Sequence, residues 1–211
     1  LNQDALRGLL YEDVVAAAPA LLGGILVWGE MRARIVETEA YRGEDDPACH
    51  AFGRTSMRNM NLFASPGTAY VYFNYGVHWM LNIVAHEEGR AAAVLIRAAQ
   101  PLAGLEYMRD RRPVARDRDL LSGPGKLCHA YGISGQQNGI DLLAAGDGLR
   151  ILASQAPATN VVATPRIGIA EGKWHDVPWR FVDGDRMDWV SRGRPKRVAP
   201  SSADPFPRPP R

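Results

Sequence analysis

Pro66-Gly67-Thr68-Ala69-Tyr70-Val71-Tyr72-Phe73-Asn74-Tyr75-Gly76-Val77-His78-Trp79-Met80-Leu81-Asn82-Ile83-Val84-Ala85-His86 is the stretch that decides the fold class. A Pro-Gly turn opens it, and two runs rich in aromatic and β-branched residues flank Asn74-Tyr75-Gly76. That pattern predicts a β-hairpin with strands over Thr68–Phe73 and Val77–His86. Strands joined by so short a link must pair antiparallel, because a parallel pair needs a crossover of about a dozen residues or more.

Working outward, Ile25–Trp28 and Ala33–Tyr41 are expected as strands before the hairpin, and Ala91–Ala99 after it, ending at Pro101. Arg166–Ala170 and Trp179–Val182 are expected as the last strands. A short helix follows Asp13 as its cap, stops at Gly23 and Gly24, and is kinked by Pro19. Leu102–Arg112 has helical amphipathic spacing, and another helix starts at Ser122 and Pro124 and ends at Gly132. Mixed order and hairpin-length links predict an α+β fold: a single compact domain, a mixed and mainly antiparallel sheet with packed helices, and a protruding hairpin. The domain is placed over residues 1–191. Residues 192–211, rich in Pro, Arg and Ser with few large apolar groups, are expected to form a disordered tail.

The chain has 211 residues, 46% of them hydrophobic, which suits one core better than two. Its formal charge of +2 is too small to name a partner. Only Lys126, Lys173 and Lys196 are lysines; the other 22 basic residues are arginines, whose planar forks suit phosphate. Cys49-His50 and Cys128-His129 lack zinc-finger or ribbon spacing, so reduced structural cysteines and no metal are expected. No apolar run is long enough to span a bilayer, and residues 1–20 lack the zones of a signal peptide. A soluble protein that stays inside the cell is expected.

Alternation along Ile35–Tyr41 places Glu37, Glu39 and Tyr41 on one face, opposite Val36, Thr38 and Ala40. A solvated strand face is one reading; a pair of working carboxylates beside Tyr41, His50, Tyr70, Tyr72 and Tyr75 is the other. Tyr70 and Tyr72 share a strand face, as core aromatics do. Tyr75, at an exposed tip, has nothing of its own to pack against and suits a wedge driven into a base stack. Residues 47–66 form a long link with little periodicity that carries Arg54, Arg58, Asn59 and Asn61, and such loops are usually functional. Ser122-Gly123-Pro124-Gly125-Lys126 opens a helix with free backbone N–H groups and a lysine. It reads as a capped helix or a phosphate seat, and lacks the spacing of a Walker A loop.

Together these segments resemble the alkyladenine (3-methyladenine) DNA glycosylase family, monofunctional purine glycosylases, over roughly residues 14–190. The motifs that carry the likeness are Ile35-Val36-Glu37-Thr38-Glu39-Ala40-Tyr41 with His50, Pro66-Gly67-Thr68-Ala69-Tyr70-Val71-Tyr72 with Tyr75-Gly76, Asn82-Ile83, Leu95-Ile96-Arg97-Ala98, and Leu121-Ser122-Gly123-Pro124-Gly125-Lys126-Leu127-Cys128. The resemblance implies that Glu39 is the general base, with Arg97 and the Ile167 backbone positioning its water. Tyr41, His50 and Tyr72 would wall the pocket for a flipped base. Tyr75 would fill the hole left in the duplex, and Asn82 would crowd the 2-amino group of guanine.

Phosphate contacts are expected from Arg54, Arg58, Ser122, Gly125, Lys126 and the arginines between Arg109 and Arg118. The implied partner is double-stranded DNA carrying a damaged purine such as 3-methyladenine, 7-methylguanine, hypoxanthine or ethenoadenine. A monomer is expected, with no cofactor and no membrane, in the cytoplasm and at the nucleoid if the source is bacterial. With no lysine near these residues in sequence, a strand-nicking Schiff-base step is not expected. Cys49, where the family often has Ala, and Val77-His78 depart from the pattern and bear on base preference. Two other readings are a carbohydrate glycosidase using Glu37 and Glu39, and a minor-groove binding protein without hydrolytic activity.

Overall fold

A computed structural model describes residues 2–53 and 55–191, so Arg54 and the 192–211 segment lie outside the described residues. Two helices open the chain, α1 (Gln3–Tyr11) and α2 (Val14–Ala20), followed by strands β1 (Ile25–Trp28) and β2 (Met31–Tyr41). The hairpin is β3 (Ala69–Asn74) and β4 (His78–Val84), and β5 (Ala93–Ala103) comes next. Helices α3 (Leu105–Arg111) and α4 (Pro124–Tyr131) precede short strands β6 (Arg150–Leu152), β7 (Val161–Thr164) and β8 (Arg180–Asp183). One sheet runs β3-β4-β5-β2-β1-β6, with β8 joined to β2 and β7, and every pairing is antiparallel. The α+β expectation therefore holds. Among the described residues no helix is long and apolar enough to cross a membrane.

Strand β2 is the axis of the sheet. Along one edge it pairs with β5; along the other, β1 takes Met31–Arg34 and β8 takes Glu37–Glu39. Register shifts at Ile35/Glu37 and Glu37/Thr38 mark a bulge where the neighbour changes. The bulge corrects the simple alternation read from the sequence. Val36 leaves the main core and packs with Ala98, Val182 and Val190, while Ile35 and Ala40 stay in the main cluster. Thr38, also turned toward the helices, bonds the Ala18 carbonyl at 2.9 Å.

The main core lies between the sheet and α1, α2 and α4. Asp13 caps α2 by accepting from the Val15 amide, as expected. Helix α1 was not foreseen, although Asn2 caps it and Leu6 and Leu10, four apart, are its buried face. Strand β5 continues through Pro101 to Ala103, beyond the end expected for it. Pro101 sits opposite Ala33 beside a register shift, a place where a strand tolerates a residue without an N–H. Helix α3 consequently starts at Leu105, after Gly104 at φ 69°, where a Cβ would lie 2.8 Å from the Met31 Cα. Residues 166–170 are turn rather than strand, and the last strands are β7 and β8.

In the hairpin, Asn74 pairs with His78, which leaves Tyr75-Gly76-Val77 as the tip. Tyr75 has φ 48° and is 91% exposed. Arg58 donates to the Phe73 carbonyl at 2.8 Å and braces the first strand. On the other side the His78 ring lies over Gly125 at the start of α4, where a Cβ would come within 2.7 Å of it.

Candidate active site

Glu37 and Glu39 are fully buried because β2 is paired on both edges at their positions. Arg97, on β5 beside the bulge, spans them: Nε donates to Glu37 at 3.0 Å, Nη1 to Glu39 at 3.0 Å, and Nη2 to Ser191 Oγ at 3.3 Å. Burial by itself would lower the Arg97 pKa, but the Glu39 and Glu37 charges more than offset it and the value is raised.

The two carboxylates differ in what remains available. Glu37 also accepts from Arg180 Nε at 2.7 Å and from Ser191 N and Oγ at 2.7 and 2.8 Å, so with Arg97 it has four donors. An ionised carboxylate offers about four lone-pair sites. Three of the Glu37 donors meet Oε1 and the Ser191 amide meets Oε2; Arg180 and Ser191 do not line the cleft, so Glu37 is turned to anchoring Arg97, Arg180 and Ser191, which counts against the glycosidase reading that needs it as a catalytic partner. Glu39 accepts from Arg97 and from Tyr41 OH at 3.0 Å on one oxygen and from the Ile167 amide at 2.7 Å on the other, which among the described residues leaves one lone-pair site uncommitted. Burial, and then the Glu39 charge, push the Tyr41 phenol well above its ordinary value of 10.0, so it stays protonated and donates.

Beside Glu39 stands an aromatic group. His50 Nδ1 meets Tyr70 OH at 3.0 Å, its ring meets Tyr72 edge-on at 4.4 Å between centroids, and Tyr70 stacks on Tyr72 at 5.3 Å. Asn59 donates to the His50 carbonyl and Asn82 to the Tyr70 carbonyl, at 2.9 and 3.0 Å. These bonds fix the loop and the strand that supply the rings. Burial pushes the Tyr72 phenol up to about 12 and the Cys49 thiol up to about 11, so both are neutral in ordinary buffers. A recess of about 30 Å³ among Tyr41, Cys49, His50, Tyr70, Tyr72 and Asn82 has room for a water-sized group but not for a purine. Tyr41, His50 and Tyr72 also line an open cleft of about 720 Å³, together with Tyr75, Arg97 and Ile167.

The structure thus gathers Arg97, Tyr41, His50, Tyr72, Tyr75 and Ile167 at one cleft, with Asn82 in the adjoining recess and Glu39 buried behind the cleft wall, bonded to Arg97, Tyr41 and Ile167. The expected phosphate seat is altered. Gly123, not Ser122, is the N-cap of α4; the Ser122 hydroxyl accepts from Lys126 at 3.2 Å; and Gly125 is buried beneath His78. Arg109 and Arg116 are held by Asp117 and Asp119, and Arg111 and Arg112 by backbone carbonyls, so these arginines are engaged within the fold. Lys173, remote in sequence, lines the cleft, which removes sequence distance as the reason to set a lysine aside.

Four participants, Arg180, Ser191, Asp46 and Arg166, carry no signal in the sequence. Tyr70, expected as a core aromatic, belongs to the recess as well, and the anchoring role of Glu37 needs Arg180 and Ser191, more than 140 residues away. The pair Asp46 and Arg166 was not seen either. For Tyr70 the signal was available: it shares a strand face with Tyr72.

Comparison with known proteins points to one family. A family model described as methylpurine-DNA glycosylase matches residues 9–187. A Burkholderia cenocepacia protein named "Putative 3-methyladenine DNA glycosylase" is 48% identical over 194 residues, covering 90% of this chain and 92% of the relative. Proteins of the same name from Chlorobaculum parvum and Rhodopseudomonas palustris are 46% and 45% identical, over 85% and 83% of this chain and 88% and 82% of their own lengths. With a match that runs from α1 to beyond β8 and relatives of nearly equal span, the chain belongs to the methylpurine-DNA glycosylase family.

Proposed function

We propose that this chain excises damaged purines from duplex DNA by flipping the nucleotide into the cleft and hydrolysing its N-glycosidic bond, leaving an abasic site. The observation that carries the reading is Glu39: a carboxylate anchored by three donors, with one lone-pair site uncommitted, beside an aromatic-walled cleft. Breaking the bond builds oxocarbenium-like positive charge on the sugar. A fixed carboxylate beside C1′ stabilises that charge and accepts a proton from the attacking water. Arg97, Tyr41 and the Ile167 amide hold Glu39 in one orientation, so little reorganisation accompanies the reaction.

Tyr41, His50 and Tyr72 supply ring faces for the extruded base. For cationic 3-methyladenine or 7-methylguanine such faces contribute about 0.5–2 kcal/mol; neutral hypoxanthine and ethenoadenine depend on shape and hydrogen bonds. The recess floored by Asn82 admits small groups only, which suits its role in crowding the guanine 2-amino group. Tyr75 fills the gap in the duplex. Unstacking costs a few kcal/mol, and less for a weakened pair, which favours damaged bases. Lys126, Arg58 and Lys173 serve as phosphate contacts. Hydrolysis without a Schiff base is the step proposed, and a borohydride trap tests it at Lys173, the lysine that lines the cleft.

The test incubates the protein, and its Glu39→Gln variant, with duplexes carrying one hypoxanthine, ethenoadenine or 7-methylguanine. Free base from wild type only, strand breaks only after alkali, and no borohydride-trapped adduct are expected. Lesion binding without release from any duplex would instead establish the minor-groove binding reading.

A further inference from the structure

Behind the cleft wall lies an ion pair with both side chains completely buried: Arg166 and Asp46, joined at 2.5 and 3.0 Å in a two-pronged contact. Asp46 also accepts from the amides of Arg42 and Ala48, at 3.1 and 3.0 Å. It thereby ties down the turn between the end of β2 and the loop that carries Cys49 and His50. Arg166 donates to the Ala40 carbonyl at 3.0 Å. That carbonyl is the next ladder position on β2 after pairing with β8 stops at Glu39, so the guanidinium takes the place of a strand. Its plane lies 4.8 Å from the Tyr41 ring centroid and 5.2 Å from that of Trp179. The residue that follows it is Ile167, whose amide holds Glu39.

We infer that the Asp46–Arg166 pair positions the two halves of the site together, seating the Tyr41 ring from behind and presenting the Ile167 amide to Glu39. Only a planar fork can meet a carboxylate, a carbonyl and two ring faces at once, which is why lysine is no equivalent here. A buried ion pair is a weak route to stability, since apolar residues of similar volume often do as well. Here the pair lies against the Tyr41 ring, immediately precedes Ile167 and fastens the turn before Cys49 and His50, besides touching Ala40 and Trp179 of the core. Asp46 and Arg166 are positioning residues, because neither lies on the cleft surface.

The inference rests on the glycosylase reading for its effect on catalysis, but the placement itself can be read without it. The test uses the full chain with Asp46→Asn, which keeps the shape, and Arg166→Lys, which keeps the charge. Amide exchange is followed by NMR at Ile167 and at Ile96 in the core, beside single-turnover release of hypoxanthine. Exchange at Ile167 should quicken by roughly tenfold with Ile96 unchanged, and base release should slow by about 10²-fold, the scale of an ångström-sized misplacement. If Ile167 and Ile96 quicken together, or Ile167 does not change, the pair is merely structural and the inference fails. Should Arg166→Lys not fold, Asp46→Asn decides by the same measure. A wild type that releases no base, with Ile167 still responding, would overturn the glycosylase reading and leave the brace standing.

Discussion

The floor of the cleft and the tip of the hairpin treat their chemistry in opposite ways. Beneath that floor, of which Arg97 is the part that lines the cleft, Glu37, Glu39 and Arg180 are buried, and the two carboxylates accept seven hydrogen bonds between them. At the tip, Tyr75 is 91% exposed, Val77 62% and Phe73 41%, and Tyr75 is held at φ 48°, a conformation a bulky residue rarely adopts. The floor fixes its groups inside the protein, where their hydrogen bonds leave them little freedom to reorganise. The tip leaves apolar surface in water and backbone strain unrelieved, features that make sense when another molecule covers them.

The contrast can be broken most severely at the floor. Glu39→Gln should lower single-turnover base release by about 10²–10⁴-fold, the usual scale of general-base help, while lesion binding persists. Glu37→Gln acts on stability instead: it leaves Arg97 and Arg180 buried without their shared charge, a loss of about 3–5 kcal/mol. Thermal unfolding should show it as roughly 2–4 °C per kcal/mol. A Glu37→Gln protein as stable as wild type would mean that the floor is not held as described.

At the tip the expected effects are smaller and of another kind. Tyr75→Ala should leave Tm unchanged, since the side chain buries almost nothing, yet slow excision from duplex by roughly tenfold, part of the few kcal/mol that unstacking costs. Excision from a single strand should barely change. Equal losses on both substrates would count against the wedge. Smaller again, Lys126→Ala or Lys173→Ala should each reduce the slope of log affinity against log salt by about one, with the rate at saturation preserved.

The smallest effect concerns alkaline pH. Burial raises the phenols of Tyr41, Tyr70 and Tyr72 above their ordinary 10.0. Folded protein then keeps protons that the unfolded chain releases, so their contribution to stability is complete below pH 10 and is lost as pH rises through the folded values. Tm measured from pH 9 upward should begin to fall near 10, and less steeply in Tyr41→Phe. No change in slope would show that Tyr41 is less enclosed than its bonds suggest.

Local pattern was enough for the hairpin, the capped helix α2 and the start of α4, while the resemblance carried by the ordered motifs named Glu39, Tyr41, His50, Tyr72, Asn82 and Arg97, which the structure places near one another. Period-2 alternation, turn residues and ordered motifs are properties of neighbours along the chain, and they survive without knowledge of the fold. The bulge at Val36 was not legible, because it arises where β1 gives way to β8 as the partner of β2. Nor was the path of β5 through Pro101, which depends on an irregularity in the opposite strand.

By itself, then, the amino-acid sequence determined which elements form and which chemical groups are on hand. Tertiary structure alone decided what each group does. Glu37 and Glu39 are the same residue two places apart on one strand, and only Arg180, Ser191 and Ile167, all brought from far along the chain, make one an anchor away from the cleft and tie the other to residues that line it. Burial and hydrogen-bond supply are properties of the whole assembled fold, and no window along the strand contains them.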